Sequence, residues 1–154
     1  MADFSFVTGR LATGAAVNSP DDVQQLWLAG ITAVIDCRAE FDDGQLLAAQ
    51  PGMRYLWAPQ SDDGQHPKPV SWFQAGIEFA LPLLTVPGNK VYSHCAAGVN
   101  RGPSMCSALL MALGIGKDQT RAMITAARPQ VGLAYIDDAE AAVRSLGYVS
   151  YELQ

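Results

Sequence analysis

From Ser19 to Leu146 the chain alternates short β-branched, apolar runs with segments that carry helix start and stop signals. That alternation restricts the fold more than any other property of the sequence. Thr32 to Ile35 is a continuous apolar run of the kind found in parallel strands buried on both faces. Arg54 to Ala58 and Lys90 to His94 read as further strands, and Phe4 to Val7 and Arg10 to Thr13 as two short edge strands around Gly9. Ser19-Pro20-Asp21-Asp22 joins an N-cap residue, a proline at the first helical position and acids in the first turn. It predicts a helix to about Ala29, stopped by Gly30. A second helix starts at Ser71, where Phe73, Ile77, Leu81 and Leu84 share one face, with a kink expected at Pro82. Three more are predicted over Pro103 to Leu113, Asp118 to Ala127 and Asp137 to Leu146. The expected fold is α/β: a single domain filling residues 1–154, with a central, mostly parallel sheet of about four to five strands and helices on both faces.

Composition narrows the function. Apolar residues at 49% and charged residues at 16% of 154 supply a real core and exclude a disordered chain. Ten Lys and Arg against fifteen Asp and Glu leave a net charge of -5, which argues against a nucleic-acid binder with a basic surface. Any anion this chain holds must be gripped locally. Three cysteines are too few, and an odd number, for a disulfide scaffold. The longest uncharged apolar stretch, Gly102 to Gly116, falls short of the roughly 20 residues that span a bilayer. The first residues lack a basic segment followed by an apolar one, so no signal peptide is expected. These features lead to the expectation of a cytoplasmic protein without a membrane span.

Two segments carry chemistry. Residues 59 to 69, with three prolines, a glycine and the adjacent Asp62 and Asp63, form an exposed loop by composition. The other is His94-Cys95-Ala96-Ala97-Gly98-Val99-Asn100-Arg101, a cysteine and an arginine six positions apart between a strand and a helix. Such a turn lets successive backbone N–H groups of Ala96, Ala97, Gly98, Val99 and Asn100 point inward as an anion nest. The helix that follows aims its unpaired N–H groups and positive dipole end at the same spot. The planar fork of Arg101 can take two phosphate oxygens at once. A thiol beside an arginine at a helix N-terminus is the setting in which cysteine becomes a thiolate nucleophile.

The motif resembles the HCxxGxxR signature of the cysteine-dependent protein tyrosine phosphatases, matched by His94, Cys95, Gly98 and Arg101. Gly30 to Asp36 is similar to the early strand of that family, and Arg128-Pro129 to a pair often found in its small dual-specificity branch, which also fits the length. The low-molecular-weight branch carries its cysteine near the N-terminus and is excluded. Residues 57 to 64, WAPQSDDG, resemble the acid loop of the phosphatases of regenerating liver. The resemblance implies Cys95 as nucleophile, Arg101 as phosphate ligand and Asp63, preferred over Asp62, as general acid and then base. It implies no metal or other cofactor. Phosphorylated protein or a small phosphomonoester would be the substrate. Phosphoprotein is favoured over phosphoinositide, because the loop residues between Cys95 and Arg101 carry no charge.

One departure stands out. Most of that family has Ser or Thr after the signature arginine, where the hydroxyl stabilises the departing thiolate, and this chain has Gly102. Slow second-step turnover is the expected consequence, and with it a reading as a phosphate-binding interaction module; Ser104 is a candidate substitute hydroxyl. A rhodanese-like sulfurtransferase is a more distant alternative. Cys106 reads as core, His94 as a loop-fixing hydrogen-bonder and His66 as a solvated loop residue. Cys37, ending the Thr32 strand, is a candidate partner for a reversible disulfide with Cys95, as in several relatives.

Overall fold

The β-branched runs do form the centre of the molecule. The structure, a computed structural model, describes residues 1–148. Its strands are β1 (Phe4–Phe6), β2 (Leu11–Gly14), β3 (Ala33–Arg38), β4 (Arg54–Gln60) and β5 (Val91–His94), and its helices are α1 (Pro20–Leu28), α2 (Gly44–Ala48), α3 (Val70–Leu84), α4 (Arg101–Ala112), α5 (Lys117–Ala127) and α6 (Ile136–Ser145). The sheet order is β1-β2-β5-β3-β4, with β1 antiparallel to β2 and every other pair parallel. This is the expected α/β architecture. One position differs: β2 was expected at an edge but lies inside the sheet, paired along its length with β5. The four buried residues Leu11 to Gly14 carry no charge and suit an interior place.

Successive strand residues point to opposite faces and therefore divide between two cores. Leu11, Ala33, Ile35 and Val91 pack toward Phe73, Ile77, Leu109 and Ala139 of α3, α4 and α6. Ala12, Val34 and Tyr92 pack on the other side toward Val23 and Leu26 of α1 and Leu47 of α2. In α1, the Ser19 side chain accepts from the Asp22 N–H at 3.2 Å, the N-cap bond that its sequence predicted. Helix α4 is buried from Arg101 to Met111, so it runs through the interior with no solvent face. No helix among the described residues is long and apolar enough to cross a membrane.

Two local features were not legible. Helix α2 has five residues, too few for a periodic pattern. Strand β3 continues past Ile35 through Asp36, Cys37 and Arg38, all buried, with a register shift against β4 between Asp36 and Arg38. Two charged side chains inside a core strand are tolerable because they pair with each other, at 3.1 Å, and bond to further polar groups beside them.

Candidate active site

Strand β5 delivers His94 and Cys95 to the C-terminal edge of the sheet, where the chain turns into α4. Cys95 is buried, with 2% exposure, while Ala96 and Ala97 are exposed at the mouth of the turn. The turn is defined by where its carbonyls go. The Cys95 oxygen faces His94 Nδ1 at 3.2 Å, and the Ala96 oxygen accepts from Ala16 N–H at 3.0 Å. The Ala97 and Gly98 oxygens accept from the Arg128 guanidinium at 3.1 and 2.8 Å. The Val99 oxygen accepts from the amides of Gly132 and Leu133, and the Asn100 oxygen from Ser104. Every carbonyl from Cys95 to Asn100 is thus tethered. Among the described residues, none of the amides from Ala96 to Asn100 donates a hydrogen bond. Helix α4 starts without a side-chain cap, so the amides of Arg101 and Gly102 add to this set of open donors.

Gly98 makes the turn possible. Its φ is +69°, and a Cβ there would come within 2.5 Å of both Arg128 and the Gly14 backbone. In the sequence Arg128 reads only as half of an Arg-Pro pair. It is almost wholly buried and forks onto Asp3 at 2.9 and 3.0 Å while holding the two loop carbonyls. It ties the N-terminal segment to the turn, a long-range role that one sequence cannot reveal.

Arg101 is 4% exposed, and its guanidinium is held along one edge. Nη1 and Nη2 donate to the two oxygens of Glu40 at 2.6 and 2.9 Å, and Nη1 also donates to the Gln60 carbonyl at 2.8 Å. The Nε–H is buried with no partner. The fork is therefore oriented by Glu40 with a donor left over, and a buried unpaired donor in a native site calls for an acceptor supplied from outside. The Arg101 fork pulls the Glu40 carboxyl down to about 2. Glu40 was not singled out in the sequence; it follows a strand that ran further than its pattern suggested.

The acidic loop lies across the mouth. Asp62 accepts from the Tyr135 hydroxyl at 2.7 Å and from the Asn100 side chain at 3.3 Å, so it touches the turn itself. Asp63, the residue favoured by similarity, is half exposed and pairs with the buried Lys68 ammonium at 2.6 Å, which lowers its carboxyl below the usual range. His66 is half exposed, as expected of a solvated loop residue, and it also pairs with Asp138 at 2.7 Å and packs beside Tyr135, which holds the loop to α6. Cys37 and Cys106 are fully buried free thiols, both pushed upward by burial; the nearby Cys95 adds to this at Cys37.

Gly102 has a steric reason. A Cβ there would lie 2.8 Å from His94 Cα, 2.9 Å from its carbonyl carbon and 3.0 Å from the Cys95 nitrogen. The first turn of α4 packs too closely on the end of β5 for any side chain. Ser104, the candidate substitute hydroxyl, is fully buried, and its Oγ accepts from the Tyr135 N–H at 3.3 Å.

No family model matches the chain. Mouse dual specificity protein phosphatase 2 is 30% identical to it over 98 residues, covering 61% of this chain and 28% of that protein. Rat dual specificity protein phosphatase 5 is 40% identical over 60 residues, covering 38% and 15%. The match thus spans less than a third of these curated relatives. Among solved structures, PTPMT1 in complex with PI(5)P superposes with a TM-score of 0.78 at 18% identity, covering 93% of this chain and 96% of that one. Human DUSP28 gives 0.73 at 18% identity, covering 95% and 96%. The human tyrosine phosphatase-like serine/threonine/tyrosine-interacting protein gives 0.76 at 18%, covering 95% and 99%. The chain has the dual-specificity phosphatase fold. In this dual-specificity phosphatase-like chain the turn with the unbonded amides is formed by the residues of the signature motif, Cys95 to Arg101.

Two outcomes follow. Gly102→Ser should cost about 1–3 kcal/mol in urea unfolding, since backbone rather than a flexible side chain must give way; unchanged stability would mean that α4 can back away from β5. The Glu40 carboxyl should titrate near 2 rather than at its ordinary 4.5 when followed by NMR. Because its folded value is depressed, the pair's stabilisation is complete above the ordinary carboxylate range and drains away as pH falls toward 2. A midpoint near 4.5 would mean that the fork is open in solution.

Proposed function

We propose that this chain is a cysteine-dependent protein phosphatase that hydrolyses phosphotyrosine, and phosphoserine and phosphothreonine as well, through a phosphocysteine. The observation that carries the reading is the set of unpaired donors around one buried thiol: the amides of Ala96 to Asn100 and Arg101 Nε–H. A dianionic phosphoryl group supplies three oxygens to such a nest, and no neutral ligand of that size would.

Cys95 Sγ attacks phosphorus, the S–P bond forms and the P–O bond to the leaving group breaks. The loop amides and Arg101 hold the equatorial oxygens. A carboxylic acid gives its proton to the departing oxygen, and its carboxylate then takes one from the water that cleaves S–P, releasing phosphate and the thiolate. Asp62 suits the acid role as the loop now lies, since it alone of the two aspartates contacts the turn. Asp63, which similarity to the regenerating-liver phosphatases favours, would act only after leaving Lys68. The uncharged residues Ala96, Ala97, Val99 and Asn100 support a phosphoprotein over a polyanionic lipid headgroup.

A second reading has its own support. Gly102 offers no hydroxyl directly after Arg101, so the thiolate leaving in the second step lacks help from that position. A chain that forms phosphocysteine quickly and releases it slowly would serve mainly as a phosphate-dependent binder.

Aryl phosphate hydrolysis by wild type and variants across pH tests both readings. Cys95→Ser should be inactive, and activity surviving there would falsify the mechanism. The alanine variant of the true acid should lose roughly 10²-fold or more and the basic limb of the pH profile; Asp62→Ala and Asp63→Ala decide between the two. A burst of one aryl alcohol per protein followed by negligible turnover, with the phosphoryl group retained on Cys95, would support the binder.

A further inference from the structure

Behind the turn lies a buried cluster of side chains that the cleavage cycle does not use. Asp36, Asp43 and His94 have no exposure, and Arg38 has 6%. Arg38 donates from Nε to Asp36 Oδ1 at 3.1 Å and from Nη2 to Asp43 Oδ1 at 2.7 Å. Asp36 also accepts the Arg38 and Asp43 amides at 3.0 and 3.3 Å. His94 Nε2 bonds to Asp43 Oδ2 and lies 3.9 Å from Asp36 Oδ1, while Nδ1 lies 3.2 Å from the Cys95 carbonyl oxygen. Tyr92 stacks on the imidazole with ring centroids 5.5 Å apart, and the Tyr55 hydroxyl accepts from the Asp43 amide.

Donor and acceptor chemistry decides what this cluster holds. Both nitrogens of His94 face oxygens that can only accept, a carboxylate on one side and a backbone carbonyl on the other. A neutral imidazole carries one N–H and would set its other lone pair against one of those oxygens in a dry site. The polar contacts of the Asp36 and Asp43 oxygens are with N–H donors, as ionised carboxylates require. Two carboxylates against one guanidinium leave a buried negative charge, and a second cation removes it. Asp36, Asp43 and His94 also offer ligand atoms within 4.8 Å of one another, but a metal ion there would meet the Arg38 guanidinium already bonded to both acids.

We infer that Asp43 is a positioning residue that keeps His94 doubly protonated, so that a buried imidazolium stands directly behind Cys95 and fixes its carbonyl with the second N–H. The inference rests on Cys95 being the nucleophile. Its consequence for the reaction is that the thiolate, as attacking group and as leaving group, forms beside a cation that the cluster holds in place. This adds to Arg101 a second positive charge on the interior side of the turn, in a chain whose overall charge is negative. The groups facing His94 are Asp36 from β3, Asp43 ahead of α2, Tyr92 from β5 and Cys95 itself, with Arg38 bonded to both acids. Burial pushes the Asp36 carboxyl up while Arg38 opposes it, so the competing arrangement is a proton on Asp36 and a neutral His94.

Imidazole 15N NMR separates them without any assay of catalysis. The chain has two histidines, and His66 is half exposed, so the signals are readily assigned. At neutral pH His94 should carry protons on both nitrogens. In Asp43→Asn it should become a one-proton tautomer, and iodoacetamide alkylation of Cys95 at neutral pH should slow about tenfold. Asp138→Asn, which releases His66, should change neither readout. A single proton on wild-type His94 overturns the inference even if no variant folds, and so does unchanged alkylation in Asp43→Asn. A wild type with two protons on His94 and no phosphate hydrolysis would instead overturn the phosphatase reading and leave this one standing.

Discussion

The outward tethering of six consecutive carbonyls is the interaction on which the site depends. A turn of this length has no regular hydrogen-bond pattern to fix it, and free amides attract each other's neighbours as readily as they attract an anion. Here the carbonyls are taken by His94, the Ala16 amide, Arg128, the amides after α5 and the first turn of α4. With the oxygens committed, the amides of Ala96 to Asn100 are left to a ligand. Much of the periphery serves this purpose: Arg128 is fixed by Asp3 from the N-terminal segment, and the chain after α5 is held against Val99. Preorganised donors of this kind need not reorganise when charge arrives, which is where most of their catalytic value lies.

The same economy bears on how an acidic chain would hold an anion under the proposed function. Arg101 is aimed by Glu40, so a negative residue orients the positive one and leaves its Nε–H unpaired. Asp43 stands in a parallel relation to His94. Glu40 holds a cation rigid at the cost of partly neutralising it, and the inferred imidazolium would give Asp43 the same role. The net charge of -5 is therefore no obstacle, because the field that matters is set within a few ångströms of Cys95.

The parts of this arrangement that local patterns encode were legible in the sequence. The N-cap at Ser19, the buried run from Thr32 and the Cys95-to-Arg101 spacing all appear where expected. The parts that arise from long-range pairing were not. Glu40, Arg128 and Asp43 are ordinary charged residues by local pattern, and their partners lie 61, 31 and 51 positions away. Gly102 reads in the sequence as a lost hydroxyl, whereas its cause is a backbone approach that only packing reveals. Asp62 and Asp63 differ by one position, too fine a distinction for loop composition; their contacts with Asn100 and Lys68 separate them.

The central claim is that Cys95 carries the phosphoryl group covalently. The direct measurement is rapid acid quenching of the chain with an aryl phosphate, followed by peptide mass spectrometry of the three cysteines. The account requires one phosphoryl group on the peptide containing Cys95, present in wild type, absent in Cys95→Ser and accumulating further when the true acid aspartate is replaced by alanine. No adduct during active turnover, or an adduct on a different residue, would contradict it.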